Sequence, residues 1–398
     1  MRIIGINAVS FGSTGTIMRG IAHEARKREH QFFTFSRKLD RKNVEYPFHE
    51  YFNSINEFWV SEKATVLNGF EGTLNLFSSL KLLAKIRKID PQIIHLHNLH
   101  GWYVNLPMLF RFIKKHNIRV VWTLHDCWSF TGHCPHFDMI GCEKWKTGCH
   151  HCPQYREYPA SIFDNSKKMY KRKKKWFTGV KDMTIVTPSA WLAGLVKESF
   201  LKEYPVQVIN NGIDLDVFKP TESDFRKKHG LEDKNIILGV SFGWNDRKGL
   251  DVFIELAKRL PEQYRIVLVG TDDGTDKLLP DNILSIHRTQ NQTELTEIYT
   301  AADLFVNPTR EENYPTVNME AIACGTPVLT FRTGGSPEIL DETCGTVVEK
   351  NDIDAMEREI LRICEQQPFS KGACLKRAEA FDKVQKFGEY IKLYGSEL

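Results

Sequence analysis

The chain has 398 residues, 41% of them hydrophobic and 26% charged, values that describe a globular protein with room for two or three domains. No run approaches the ~18 to 20 apolar residues of a membrane span, and the amino terminus lacks the apolar core and small-residue cleavage site of a signal peptide, so a cytoplasmic protein is expected. The net charge of +4 conceals a division: residues 1–190 carry 29 Lys plus Arg against 15 Asp plus Glu, or +14, and the remainder carries 25 against 35, or −10.

From the first residues onward, short β-rich runs alternate with helical segments, the pattern of parallel α/β sheets. Strands are expected at Arg2–Asn7, Gln31–Phe35, Gln92–His97, Arg119–His125, Met183–Thr187 and Val206–Ile209. A second series is expected at Asn235–Phe242, Arg265–Gly270, Ile283–His287, Leu304–Asn307, Pro327–Thr330 and Thr346–Val348. Two such series imply two doubly wound domains, residues 1–205 and 206–383, parted close to Asn210-Asn-Gly-Ile-Asp214. Ligands of such sheets sit beyond the carboxyl ends of the strands. No internal repeat is visible, and no low-complexity stretch beyond one lysine run.

Gly12-Ser-Thr-Gly15 follows the first strand. It suits either an ordinary βα turn or a loop closing on phosphates or acceptor. His125-Asp126 closes the strand that begins at Arg119, where a histidine is either structural or a ligand group. A cysteine-rich insert then spans about 127–153. Cys149-His-His-Cys152 has the two-residue gap of a zinc knuckle, with Cys134 and Cys142 as further ligands. Structural zinc, free thiols and disulfides all remain open for these four, metal being favoured over disulfides in a cytoplasmic chain. Lys167, Lys168, Lys171, Arg172, Lys173, Lys174 and Lys175 precede Trp176 and Phe177. This run reads as a solvated helix face or as attraction to an anionic membrane or phosphate-linked acceptor, with Trp176 and Phe177 as two aromatic anchors. Nucleic acid is a third reading, and no recognisable binding module accompanies it. Asp214-Leu-Asp216 has the spacing of a metal-binding pair but lies in the interdomain segment, where a turn or cap is expected.

Arg247 and Lys248 follow the first strand of the second series. They are either exposed first-turn residues or fixed cations for a leaving diphosphate, whose developing charge such groups stabilise. Glu312-Asn-Tyr-Pro-Thr-Val-Asn-Met-Glu320-Ala-Ile-Ala-Cys-Gly-Thr-Pro-Val328 carries the most information. Pro315 suits a first helical turn, Thr316–Cys324 reads as the helix, and Gly325 as its stop. The alternative to a capped surface helix is a diphosphate site at the helix N-terminus, including Thr316 and Val317. One carboxylate would then hold sugar hydroxyls and the other ribose hydroxyls. Thr333-Gly-Gly-Ser-Pro-Glu338 reads as a strand-to-helix turn or as a loop whose Gly334 and Gly335 let backbone approach a ligand.

The string from Glu312 to Val328 resembles the signature of glycosyltransferase family 4, retaining sugar transferases of the GT-B fold. Ser189-Ala-Trp-Leu192, Asn210-Asn-Gly-Ile-Asp214 and the glycines after Thr333 are similar to further landmarks of that family. The resemblance implies two Rossmann-like domains facing across a cleft, acceptor-side first and donor-side second, with a carboxy-terminal helix at about 384–398 returning to the first. It implies transfer of a hexose-type sugar from a UDP- or GDP-linked donor to a lipid-linked or saccharide acceptor, in bacterial capsule, exopolysaccharide or O-antigen synthesis. Glu312 would contact the donor sugar, Glu320 the ribose, and Lys248 with Arg247 the diphosphate. The family usually has an arginine five residues before the lysine, where this chain has Gly243, so Arg247 would substitute. His125 resembles the family's histidine beside the donor sugar. A leaving-phosphate oxygen is the expected base, no metal is required for catalysis, and the anionic inner membrane is the expected surface partner. A similar cysteine-rich insert accompanies some polysaccharide transferases of the family. The rival readings are a GT-B epimerase or phosphorylase, and a non-enzymatic nucleic-acid or partner-binding protein.

Overall fold

Apolar runs bounded by turn residues become strands, and in this computed structural model, which describes residues 1–38 and 46–396, every strand pairs in parallel. The first sheet holds β1 (Arg2–Ile6), β2 (Gln31–Ser36), β3 (His49–Tyr51), β4 (Ile93–Leu96), β5 (Arg119–Thr123), β6 (Met183–Thr187) and β7 (Val206–Val208). Its order is β3-β2-β1-β4-β5-β6-β7. The second holds β8 (Asn235–Val240), β9 (Tyr264–Val269), β10 (Ile283–Ile286), β11 (Leu304–Asn307), β12 (Val328–Phe331) and β13 (Gly345–Val348). Its order is β10-β9-β8-β11-β12-β13. Both sheets are doubly wound, the order reversing between β1 and β4 in one and between β8 and β11 in the other. Those reversal points are where such sheets bind ligands.

Side chains alternate across each strand, so each sheet feeds two apolar layers. Ile4, Ile6, Ile94 and Trp122 enter one layer of the first sheet. Ile3, Ile93, Val121 and Val186 enter the other, where they meet Phe387, Tyr390 and Tyr394 of the helix Lys383–Gly395. Complete burial of each such side chain stabilises by about 1.5–3 kcal/mol. In the second sheet Ile236 and Leu238 face one layer and Ile237 the other. The helix Ile353–Gln366 shows why these segments coil: Met356, Ile360 and Ile363 recur on one face, and Asp352 caps the start by accepting from the Ala355 N–H.

The chain divides into two units, Met1–Asn210 with Lys386–Leu398, and Asn211–Gln385. The expected boundary at 205/206 is corrected to 210/211, because β7 pairs with β6 and completes the first sheet. Strand β3 was not expected; it is three residues at a sheet edge, paired with β2.

The lysine run forms the helix Ser166–Phe177, and two expectations about it are corrected. Met169, Tyr170, Lys173 and Phe177 share its buried face. Phe177 is wholly buried and Trp176 packs against the core, so neither is an exposed anchor. Lys173 also points inward, donating to the Trp128 carbonyl at 2.7 Å with its ammonium 3.4 Å from the centroid of the Trp128 ring. Burial lowers its pKa to about 7. Among the described residues, no helix is long and apolar enough to cross a membrane.

Candidate active site

In the second unit the loops leaving β8, β11 and β12 converge. The loop after β8 makes a single 3-10 turn, Asp246–Lys248, capped by the Asn245 side chain, which accepts from the Lys248 N–H at 3.1 Å. This turn aims Lys248 at the loop after β11, where its Nζ lies 2.6 Å from Glu312 Oε2. Both side chains are half-buried. Arg247 Nη1 donates to the Glu311 carbonyl at 3.4 Å, and its own carbonyl accepts from the Arg310 N–H at 2.9 Å. Arg310 forks onto Asp251 with bonds of 2.6 and 2.7 Å, tying the loop after β11 to the first turn of the helix Leu250–Arg259. The backbones of the two loops touch at Gly249, where φ is +77° and a Cβ would press on Pro308.

Gly334, with φ +53°, follows β12 and packs so closely that a Cβ would overlap the Glu312 carbonyl oxygen. Gly335 lies beside it, but its N–H is spent on the Asn313 carbonyl at 2.8 Å. The helix observed is Thr316–Ala323, with Pro315 at the cap position rather than inside the first turn, and Gly325 at φ +86° beyond the end. Thr316 and Val317 therefore open the first turn, whose N–H groups have no partner within the helix. Glu320 sits one turn on. Its Oε2 accepts from the Tyr299 hydroxyl at 3.1 Å. Burial raises its pKa to about 6, partly offset by hydrogen bonds from Tyr299 and Thr316.

In the first unit, Gly12 begins the helix Gly12–Lys27 at φ +67°, and a Cβ on Gly15 would stand 2.6 Å from the Ser10 carbonyl carbon. The loops after β1 and β4 are joined by the Asn98 N–H on Asn7 Oδ1 at 3.1 Å. His125 follows β5, and its Nε2 is 3.1 Å from Nδ1 of His97, the rings stacked 5.4 Å apart. Beneath them His95 bonds Thr123 at 2.8 Å and the Tyr394 hydroxyl at 2.6 Å. Burial pushes His125 down to about 4 and His95 to about 3, and holds His97 well below the usual histidine value. All three rings are neutral at neutral pH. Asp126 turns to His100 instead, its Oδ2 2.9 Å from Nε2, while Oδ1 caps the Trp128 N–H at 2.9 Å. Burial opposes charge at both, but their mutual attraction prevails, raising His100 and lowering Asp126 to about 2.

The structure thus brings Lys248, Arg247, Glu312, Gly334, Thr316 and Glu320 to one end of one sheet. Sequence reading missed the Asn245 cap, the tie made by Arg310, and His97 as the neighbour of His125. Asp214 and Asp216 serve a turn: Asp214 accepts from the Asp216 N–H at 3.2 Å and pairs with Lys383. The four cysteines expected at a metal, Cys134, Cys142, Cys149 and Cys152, line one small space. Among the described residues, the one trio with ligand atoms within 4.8 Å of one another is Asp273, Asp276 and His287, all exposed.

Two doubly wound parallel sheets on consecutive units, the second with a charged site at its reversal point, are the GT-B architecture of glycosyltransferases. Sucrose-phosphate synthase of Thermosynechococcus elongatus superposes with a TM-score of 0.71 at 18% identity, over 99% of this chain and 98% of that one. Anabaena HepE in complex with UDP-glucose does so with a TM-score of 0.68 at 13% identity, each chain covered completely. The sequence model described as Glycosyltransferase Family 4 matches residues 14–217, and that of Glycosyl transferases group 1 matches residues 221–383. The chain belongs to glycosyltransferase family 4. Among curated proteins it is 26% identical, over 77% of each chain, to WcaC of Escherichia coli (strain K12), assigned to colanic acid biosynthesis as a glycosyl transferase.

Proposed function

We propose that the protein transfers a hexose-type sugar, with retention at the anomeric carbon, from a UDP- or GDP-linked donor to a lipid-linked or saccharide acceptor in bacterial polysaccharide synthesis. The observation that carries this reading is the Lys248–Glu312 pair, built from two loops at the reversal point of the second sheet. Lys248 and Arg247 neutralise the diphosphate, assisted by the N–H groups of Thr316 and Val317. Glu312 accepts from sugar hydroxyls and Glu320 from the ribose. As the acceptor oxygen bonds to the anomeric carbon, the sugar–phosphate bond breaks, and the nucleoside diphosphate leaves with the acceptor's proton. His125 hydrogen-bonds a sugar hydroxyl as a neutral imidazole. Gly12 and Gly15 provide a short loop for phosphate or acceptor groups. No divalent cation is needed at the donor, because side-chain cations and a helix end do that work, and Asp214 is already paired. The polysaccharide role rests on the likeness to WcaC, and the nucleotide-sugar donor on the family and on the likeness to HepE, crystallised with UDP-glucose.

Glu320 provides the test. A carboxyl with a raised pKa of about 6 is ionised above that pH and protonated below it. Calorimetry with UDP-glucose and GDP-mannose, whose esterified phosphates do not titrate in this range, is expected to show tightest binding of the cognate donor above pH 7. Affinity should then fall as the pH drops through 6. Glu320→Gln should cost about 10- to 100-fold at pH 7, from ~1.5–3 kcal/mol for a charge-assisted bond, and remove the pH dependence. Wild-type affinity should be the same in a chelator. A pH-independent wild type would remove the ribose role, and loss in chelator with rescue by Mn²⁺ would remove the metal-independent mechanism.

Attachment to an anionic inner-membrane surface is part of this reading. Six cations of the helix Ser166–Phe177 remain exposed: Lys167, Lys168, Lys171, Arg172, Lys174 and Lys175. Apolar contact comes instead from the helix Leu76–Ile89 of the same unit, where Phe77 is 78% exposed and Leu80 54%. Replacing Lys167, Lys168, Lys171 and Lys174 by glutamine is expected to release the protein from phosphatidylserine vesicles while sparing donor binding. Wild-type attachment should weaken with salt, as screening shortens from ~10 Å at 0.1 M to ~3 Å at 1 M. Unchanged vesicle sedimentation of the fourfold variant would leave the run a solvated helix face.

A further inference from the structure

Between Thr123 and Ser166 the chain runs for some forty residues with only two single-turn 3-10 helices, Trp128–Phe130 and Lys144–Lys146. Connections longer than about 12–15 residues without regular structure are uncommon in folded units, and one this long requires another source of order. Part of that order is aromatic. Trp145 is buried and stacks on Phe137 at 5.1 Å, with Phe130 at 5.3 Å. Beside these rings lies a small, partly open space of about 10 Å³, lined by Cys134, Cys142, Cys149 and Cys152 together with His133, Lys144 and His150. That is room for one water-sized sphere.

The backbone around the space is arranged for the sulfurs. Gly132 donates its N–H to Cys149 Sγ at 3.1 Å, and a Cβ at Gly132 would stand 2.6 Å from the Cys149 Cβ. The Cys152 N–H is held by Asp164 Oδ2 at 2.9 Å, and Lys144 Nζ donates to the His151 carbonyl at 2.9 Å, closing the turn that carries Cys149 and Cys152. The other five cysteines do not line the space.

We propose that Cys134, Cys142, Cys149 and Cys152 bind one structural zinc ion as thiolates, and that this ion orders the insert. Four thiolates around Zn²⁺ carry a net charge of −2, and Lys144 at the wall and the Gly132 N–H supply compensating polarity. Tetrahedral Zn–S bonds of about 2.3 Å set neighbouring sulfurs about 3.8 Å apart. No three of these sulfurs lie within 4.8 Å of one another, so binding draws the segment inward by side-chain rotation. The inference is independent of the donor site, which lies in the other unit.

The test uses the full chain purified without added metal. Elemental analysis is expected to give about one zinc per chain, released on thiol alkylation, and exchange into Co²⁺ should give the absorption of a tetrahedral thiolate site. Cys149→Ser and Cys152→Ser should each lower zinc content at least tenfold, whereas Cys364→Ser, outside the insert, should leave it unchanged. Because those variants risk misfolding, the wild-type chain stripped of metal is measured as well. Zn²⁺ should raise its melting temperature and slow proteolysis between residues 127 and 153, and Mg²⁺ should do neither. Absence of zinc with four alkylatable thiols, a Cys134–Cys152 disulfide by mass spectrometry, or iron in place of zinc would each overturn the proposal.

Discussion

Lys248→Ala is expected to lower kcat for sugar transfer by at least about 100-fold, the scale seen when a group that stabilises developing charge is removed. The Lys248 ammonium stands 2.6 Å from Glu312, on the loop that follows β11. On the proposed reading, donor binding would exchange that neighbour for a diphosphate whose charge grows as the sugar departs, so the loss should fall on kcat more than on KM. Lys248→Arg keeps the charge but spreads it over a planar fork, and should recover only part of the rate. Stability should change by about 1 kcal/mol or less, since the ion pair keeps about a quarter of its side-chain surface in solvent and is partly screened. Steady-state kinetics and thermal melts decide the matter together. A fall of less than about threefold would make Lys248 a brace for Glu312 and no more.

Gly334→Ala is expected to harm the proposed donor site without unfolding the protein. At φ +53° the added methyl meets the Glu312 carbonyl oxygen, and the left-handed conformation itself costs a non-glycine residue about 1–2 kcal/mol. A shift of the loop after β11 that relieves this clash would carry Glu312 away from Lys248. A displacement of about 1 Å costs on the order of 100-fold in rate, so a loss of that size is expected, with weaker donor binding. Gly372→Ala is the control: it lies in the helix Lys371–Ala378 with nothing within 4 Å of the added Cβ, and should be neutral or slightly stabilising. Equal kinetics for the two variants would show that the contact at Gly334 has no bearing on the site.

What could be read from the residues divides along physical lines. Strands such as Ile3 to Ile6 and Ile236 to Leu238 are buried on both faces, and a continuous apolar run announces that directly. His49–Tyr51 has no such run; it joins an edge through backbone pairing and through His49, whose ring nitrogens bond Thr34 and Ser36. Lys173 hid among its neighbours because composition is blind to direction. Its spacing from Met169 and Phe177 is that of one helix face, and that face is the buried one. The acids at 312 and 320 stood out through a nearby cap, a helix and a family signature. Lys248 and Glu312 are 64 residues apart, and only the strand order brings their loops together. His97 and His125 meet for the same reason, at the ends of adjacent strands.

The helix Lys383–Gly395 has a bearing on biosynthesis. Tyr394 reaches His95 across 299 positions of chain, and Arg119 holds the helix end through the carbonyls of Leu393, Tyr394 and Ser396. A ribosome delivers β1 to β7 long before it delivers that helix. During that interval the layer containing Ile3, Val121 and Val186 lacks the rings that cover it, and His95 lacks its phenol. The second unit has no such wait, since its own strands and helices emerge together. Completion of the first unit therefore waits for synthesis of the whole second unit, and an apolar layer left uncovered for that interval is prone to aggregate.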